Sequence, residues 1–353
     1  MQKPSIQTFL QTNKIMPYGI VSIFFVVSLL ISISIGTIHI PVRTILDIFS
    51  HALFETELLP TTEKMHENIV LDIRLPRVLL AGLVGASLAL AGAAFQGLLQ
   101  NPLADPYTLG ISSGASLGAV FVLFFGIQIP FLGQLTLPFI SIVTGFITLF
   151  IVLVFTQMIE RSMKMETIIL TGIITSSFLS AFISLMIALT GEELRQIITW
   201  LLGSVSMRGW EYVQLIAPFF FIGSILLVFQ GTTLNALSFG EEKAHYLGVD
   251  TRKKKLFILF AASILTGAAV AVSGTIGFVG LVIPHLIRLL FGPDHRHLLP
   301  LSMLFGAAFL MCADLVARTI ISPTELPIGV ITALIGAPIF AIILIRQRVE
   351  RRG

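Results

Sequence analysis

The feature that most constrains this chain is a succession of long apolar segments separated by short polar stretches. Runs of membrane-spanning length lie near 18–35, 78–98, 107–126, 135–157, 167–189, 212–230, 256–272, 276–291, 301–320 and 328–345. About 20 consecutive apolar residues cross the hydrocarbon core as a helix, and backbone in lipid must satisfy its own N–H and C=O groups. The expectation is an all-α polytopic membrane protein with about ten transmembrane helices. Composition agrees, since only 12% of the 353 residues are charged, against about a quarter in soluble chains. The longest polar connection, near 36–76, is too short for a soluble domain, so 1–353 forms a single transmembrane domain. Lys3 and Lys14 precede the first apolar run, Tyr18 to Ile35, but no convincing cleavage site follows it. That run is expected to be a retained helix, not a signal peptide.

Basic residues set the orientation. With the N-terminus inside, fifteen Lys and Arg fall on inner segments. Seven fall outside, Arg43, Lys64, Arg74, Arg77, Arg195, Arg208 and Arg318, and together they account for all 22. Both termini are then cytoplasmic, as an even number of spans requires. A net charge of +3 is too small to suggest a nucleic-acid partner. The single cysteine, Cys312, sits in an apolar run, where a small buried hydrophobe is expected.

Several patterns invite chemical readings. "GISSG" (Gly110–Gly114) matches the G-x-S-x-G nucleophile pattern, which needs a strand-turn-helix elbow that a helical membrane protein does not supply; a small-residue helix face is expected instead, with no catalytic residue. "GPDHRH" (Gly292–His297) suggests a metal site, but three ligands within four positions more simply make a solvated turn, so no metal is expected. Asp314 and Arg318 are four apart, the spacing of an intrahelical pair. "LAGLVGASLALAGAAFQG" (Leu80–Gly97) places small residues at 82, 85, 86, 89, 93 and 97, a face for close helix packing. "TGEELRQIITWLLG" (Thr190–Gly203) resembles a short amphipathic helix at the outer face. Thr190 and Glu193 would form a capping box, and Leu194, Ile197, Ile198, Leu201 and Leu202 one apolar stripe. It either rests on lipid or re-enters at the mouth of a pathway. No phosphate-binding G-x-x-x-x-G-K-[ST] loop is present, so active transport would need an ATPase on another polypeptide. Few charges lie at membrane depth, which disfavours an ion-coupled secondary transporter, although "SGTIGFVGLVIPH" offers a helix break.

Four blocks in order, "RLPRVLLAGLVGASLALAGAAFQGLLQNPLADPYTLGISSGA", "GEEKAHYLGV", "SGTIGFVGLVIPHLIRLLFGPDHRHLLP" and "ELPIGVITALIGAPIF", resemble the FecCD-type permeases. These are the membrane subunits of type II ABC importers for iron-siderophores, haem and cobalamin. The resemblance runs from about Arg74 to Phe340. It implies a ten-helix permease, in the cytoplasmic membrane of a bacterium, that pairs with a second copy or a similar permease. Two cytoplasmic ATPase subunits and an extracytoplasmic solute-binding protein would be its partners. The chain itself would be a transport subunit and no enzyme. It would bind no cofactor, with ATP used by the partners. An iron(III)-siderophore or related bulky chelate is the expected cargo, with cobalamin or haem as the alternative. A secondary transporter is the alternative of a different class.

Roles transfer by position. The resemblance implies that Arg74 and Arg77 of the R-L-P-R block, joined by Arg318, face glutamates of the binding protein, a role suited to a bidentate guanidinium. It implies a cytoplasmic gate at Asn101 and Leu103 of the N-P-L turn. The family's second gate, small hydroxyl residues before the fifth helix, falls here on Met165 and Glu166, a departure from the pattern. The loop from Ile40 to Asp72 lies outside the matched blocks, with "PVRTILDIF" a candidate outer helix.

The most polar stretch, "FGEEKAHYLGVDTRKKK" (Phe239–Lys255), reads in two parts. Gly240 and Gly248 would bound a helix of about seven residues, with Glu241 and Glu242 at its positive N-terminus, Tyr246 and Leu247 as an apolar knob, and Gly248 as a left-handed stop. So short a helix is marginal alone; the resemblance implies that the segment, about 238–251, docks in a cleft of the ATPase. Arg252 to Lys255 would separately anchor the next helix at the inner membrane surface.

Overall fold

The computed structural model describes residues 14–55 and 64–350. Every regular element among them is helical: α1 (Met16–Ser34), α2 (Val42–Phe54), α3 (Lys64–Leu98), α4 (Ile111–Phe125), α5 (Thr136–Ile159), α6 (Met165–Leu189), α7 (Leu194–Leu201), α8 (Trp210–Val228), α9 (Gly231–Leu237), α10 (Glu241–Tyr246), α11 (Thr251–Ser273), α12 (Val279–Phe291), α13 (His295–Thr319) and α14 (Ile328–Glu350). α1, α3, α5, α6, α8, α11 and α13 are long and apolar enough to cross a membrane, and α4, α12 and α14 are shorter apolar helices. Each of the ten apolar runs in the sequence thus has its helix. The short ones follow non-helical starts. A 3-10 turn at Pro106–Leu109 and the left-handed Gly110 precede α4, while Gly274 and Phe278, both at positive φ, precede α12.

The outer connection departs from expectation. The chain is helical from Lys64, not 78, because α3 continues outward through a π-helical stretch, Ile69–Arg74. In that stretch the Leu75 amide donates to the Val70 carbonyl, and the Leu71 carbonyl accepts from the Trp210 indole at 3.0 Å. The candidate outer helix "PVRTILDIF" forms as α2 with Ile45 and Ile48 buried.

α3 is the central helix: 89% of its apolar stretch is buried, against 22% for α6. Lipid offers no hydrophobic drive for helices to associate, so close backbone approach must supply the attraction. The small-residue face supplies it. A Cβ at Gly85 would collide with the Gly306 carbonyl of α13, and one at Gly92 with the Gly280 carbonyl of α12. "GISSG" likewise opens α4 as a packing face. Gly114 and Gly118 leave no room for a Cβ beside Thr148 and Thr144 of α5. α1 packs on α13, where Ser32 donates to the Met311 carbonyl and the half-buried Cys312 thiol to Ser28.

Candidate functional site

Two of the outer basic residues, Arg77 and Arg318, converge on one carboxylate. α3 carries Arg74 and Arg77 to the end of the bundle where α13 presents Asp314 and Arg318. Asp314 is fully buried. Arg77 grips it in a fork, with Nε donating at 3.0 Å and Nη2 at 2.8 Å, while Nη1 donates to Glu325 at 2.7 Å. Arg318 lies 3.7 Å from Asp314 on the same helix and donates to the Ser32 carbonyl of α1. The i, i+4 pair expected from spacing exists, but the dominant partner of Asp314 is Arg77, which sequence distance concealed. Arg74 faces elsewhere. It is 5% exposed and donates to the carbonyls of Ile33 (2.7 Å), Ser34 (2.9 Å) and Ile38, where it closes the end of α1. Glu325, in the loop after α13, is held below the usual carboxylate range: burial would raise it, and the hydrogen bond and charge of Arg77 prevail. Glu325 opens the fourth matched block, but nothing in the sequence assigned it a role.

Beside this cluster lies α7. Its expected capping box does not form, because the Thr190 hydroxyl donates to Met186 in the preceding helix and α7 begins at Leu194 without a side-chain cap. The expected stripe is split. Ile197 and Trp200 are buried, whereas Leu194, Ile198 and Leu202 are exposed. The end of α7 is stitched into the broken segment before α12. Ser204 donates its amide to the Ser273 carbonyl at 2.7 Å, Thr275 its hydroxyl to Leu201, and Ile328 its amide to Gly203 at 2.9 Å. α7 therefore packs on α4, with its C-terminal end wedged against the segment that precedes α12 and the start of α14, and does not merely rest on lipid.

At the opposite, inner end, Asn101 and Leu103 occupy the exposed turn after α3. The Asn101 carboxamide accepts the Leu103 amide at 2.9 Å, which fixes the turn, and Leu103 is 47% exposed. Gln100 donates to the Leu237 carbonyl of α9 at 2.7 Å. Met165 and Glu166 open α6, Glu166 exposed and Met165 half-buried against the inner core.

The charged stretch forms α10. Gly240 (φ 105°) and Gly248 (φ 84°) bound it in backbone conformations that L side chains rarely adopt. Its end is a full Schellman motif: Gly248 N–H donates to His245 O and Val249 N–H to Ala244 O. Ala244 is buried, while Tyr246 is 87% and Leu247 68% exposed. The separation of this helix from the basic run is corrected by the structure. Lys255 anchors nothing at the membrane surface; it is 4% exposed, and its ammonium binds Glu241 at 2.7 and 2.8 Å. Lys254 donates to Gln230. Lys254 and Lys255 thus fasten α10 and the preceding segment to α11, while Arg252 and Lys253 stay exposed at its start. A signal existed in the sequence, since Lys255 precedes the buried Ile258, Leu259 and Ala262 at helical spacing.

"GPDHRH" opens α13. Asp294 is its N-cap, accepts the Arg296 amide and guanidinium, and also accepts from Asn235 at 2.7 Å. These donors hold its carboxyl well below the ordinary carboxylate range, with Arg296 the leading cause. The Asn235 carboxamide oxygen takes the His295 amide at 2.8 Å, and Tyr18 meets His297 at 3.1 Å. Among the described residues no group of three His, Cys, Asp or Glu is arranged to hold a metal ion.

These features have counterparts in known proteins. The FecCD transport family matches residues 24–346. The uncharacterized ABC transporter permease protein YvrB of Bacillus subtilis is 57% identical over 98% of both chains. The hemin transport system permease protein HmuU of Yersinia pestis is 38% identical over 95% of this chain and 97% of its own. A solved structure described as an inward-facing conformation of a metal-chelate type ABC transporter superposes with a TM-score of 0.82 at 34% identity, covering 94% of this chain and 99% of the other. The chain is thus a multi-pass protein of the cell membrane with the ABC transporter permease fold, and it belongs to the FecCD transport family.

Proposed function

We propose that this chain forms the translocation pathway of an ATP-driven type II importer that carries an iron(III)-siderophore or a related bulky metal chelate inward. The observation that carries the reading is α10, a six-residue helix with Tyr246 and Leu247 held out from the bundle, in a chain without a phosphate-binding loop. An apolar knob on a rigidly fixed inner helix is a surface for another protein, and two cytoplasmic ATPase subunits fit it. Haem is the second cargo reading, favoured by the extent of similarity to the hemin permease; cobalamin belongs to the same class.

In this reading, ATP binding and hydrolysis by the partners shift the permease between outward- and inward-facing states by stabilising one over the other. Asn101 and Leu103, one hydrogen bond from α9 through Gln100, form the inner gate. At the outer end Arg77 serves the solute-binding protein with Arg318 behind it, whereas Arg74, expected to join them, is buried on the α1 carbonyls and braces that surface from within. Arg77 is the one that a partner carboxylate reaches by exchange, because its second fork holds the half-exposed Glu325.

The test is co-purification and uptake. The wild-type chain should retain an ATPase subunit and support no uptake without it. Tyr246→Asp or Leu247→Asp should leave the bundle folded, release the ATPase and abolish ATP-driven uptake. Uptake that survives loss of the ATPase would refute the importer reading in favour of a secondary transporter.

A further inference from the structure

Next to α7 the outer end contains a cleft of about 470 Å³, a size that suits a small organic ligand. Its polar lining includes Arg195, Gln196, Trp200, Ser204 and Arg208, and no carboxylate lines it. The contrast with Arg77 is instructive. Arg77 spends its charge on Asp314 and Glu325, whereas among the described residues neither Arg195 nor Arg208 forms an ion pair. Arg208 sits over the Tyr212 ring at 4.5 Å, and its Nε–H is buried without an acceptor. The second orphan is Trp200, 5% exposed, whose indole N–H also has no acceptor. A buried donor without an acceptor is costly and rare in native proteins. Two of them line one cleft, the Trp200 indole and Arg208 itself, and Arg195 adds a second uncompensated guanidinium.

The formal charge on the lining is therefore all positive and both unpaired buried groups are donors, and the complement is an acceptor-rich anion. Leu123, Leu137 and Met207 add an apolar wall, which a simple inorganic anion would not use. A neighbouring cleft of about 600 Å³ shares Ser206, Met207 and Arg208 and carries Asp72 and Glu325. Arg208 thus stands between the two clefts, with carboxylates on its far side and none on the α7 side.

We propose that this cleft is an outer landing site for an anionic organic metal chelate, one bearing free carboxylates or similar acceptors, received by Arg195, Arg208 and the Trp200 indole. The proposal rests on the importer reading and narrows its cargo from metal chelates in general to negatively charged ones.

The experiment uses the full chain in nanodiscs of zwitterionic lipid and one ferric trihydroxamate chelate in two forms, with its terminal amine free (cationic) or succinylated (anionic). Binding is followed with radiolabelled iron. The anionic form is expected to bind about tenfold more tightly, equivalent to about 1.4 kcal/mol. R195Q/R208Q should reduce that preference to about twofold or less, R195K/R208K should retain it, and W200F should weaken the anionic form selectively. Equal binding of the two forms, no binding of either, or a preference that survives in R195Q/R208Q overturns the proposal. So does a preference that vanishes when phosphatidylglycerol is added to the nanodisc, which would assign the cleft to lipid headgroups. The importer reading is judged separately by ATPase co-purification. A wild-type chain that keeps the charge preference but captures no ATPase refutes the importer alone, and the converse refutes the cleft alone.

Discussion

Asp314→Asn is the sharpest perturbation of the outer end, because it removes one charge and almost no volume. Asp314 is fully buried and faces two guanidiniums, Arg77 at 2.8 Å and Arg318 at 3.7 Å, whose side chains are 13% and 7% exposed. With charge centres about 4 Å apart and an effective dielectric near 20, each attraction amounts to about 4 kcal/mol before desolvation is subtracted. Loss of the carboxylate charge also leaves Arg77 and Arg318 repelling each other, relieved on one side by Glu325. Breaking a buried pair from one side typically costs about 3–5 kcal/mol, and the retained Glu325 contact places the expectation near about 3 kcal/mol. Glu325→Gln removes a partner that is 34% exposed and should cost about 1 kcal/mol or less. Thermal unfolding of the full chain in one detergent ranks the variants: wild type above Glu325→Gln, with Asp314→Asn well below both. Asp314→Asn unfolding together with wild type would refute the claim that this carboxylate organises the outer arginines.

Three further outcomes follow from the geometry. Gly92→Ala drives a methyl into the Gly280 carbonyl and should destabilise by about 1–3 kcal/mol, while Gly19→Ala, with nothing within 4 Å, should stay within about 0.5 kcal/mol; paired melting curves check both. Lys255→Met keeps the aliphatic stem but frees the half-exposed Glu241, so stability should fall by only about 1 kcal/mol while amide exchange across Glu241–Tyr246 accelerates; unchanged exchange would show that the ion pair does not hold α10. Glu325 has a folded pKa depressed below its ordinary value of 4.5. Its contribution is therefore fully present above about pH 4.5 and lost as pH falls through the lower folded value. The melting difference between wild type and Glu325→Gln should be constant near neutrality and shrink on acidification.

Much of the architecture is legible in the apolar runs, and the reasons for the misses are local. α3 begins at Lys64, but "KMHENIVLDIR" carries five charged or potentially charged side chains, so its hydropathy resembles a loop although its backbone is helical. The π-helical stretch depends on a carbonyl taken up by Trp210, a contact between residues 139 positions apart. α9 is too short for periodicity to distinguish from a turn. The bounding glycines of α10 were readable because each needs a backbone conformation that few other residues adopt. Lys255 was harder. Four basic residues in a row look alike in sequence, and only the register of the following apolar residues separates the buried one from its neighbours. Arg74 and Arg77, three apart on one helix, meet different surroundings, backbone carbonyls in one case and carboxylates in the other.

The attachments of α10 have a mechanical consequence. The segment from Leu237 to Lys255 meets the helical bundle at both ends. The Leu237 carbonyl is tied to Gln100, next to the N-P-L turn, and Glu241 is tied to Lys255 at the foot of α11. A force applied at Tyr246 and Leu247 therefore has two outlets, one toward the inner turn and one along a helix that runs to the broken segment at Gly274. Because the Schellman closure fixes the end of α10, a partner pushing there in the importer reading would load both attachments at once, like a short stiff crank, instead of spending the displacement where it is applied.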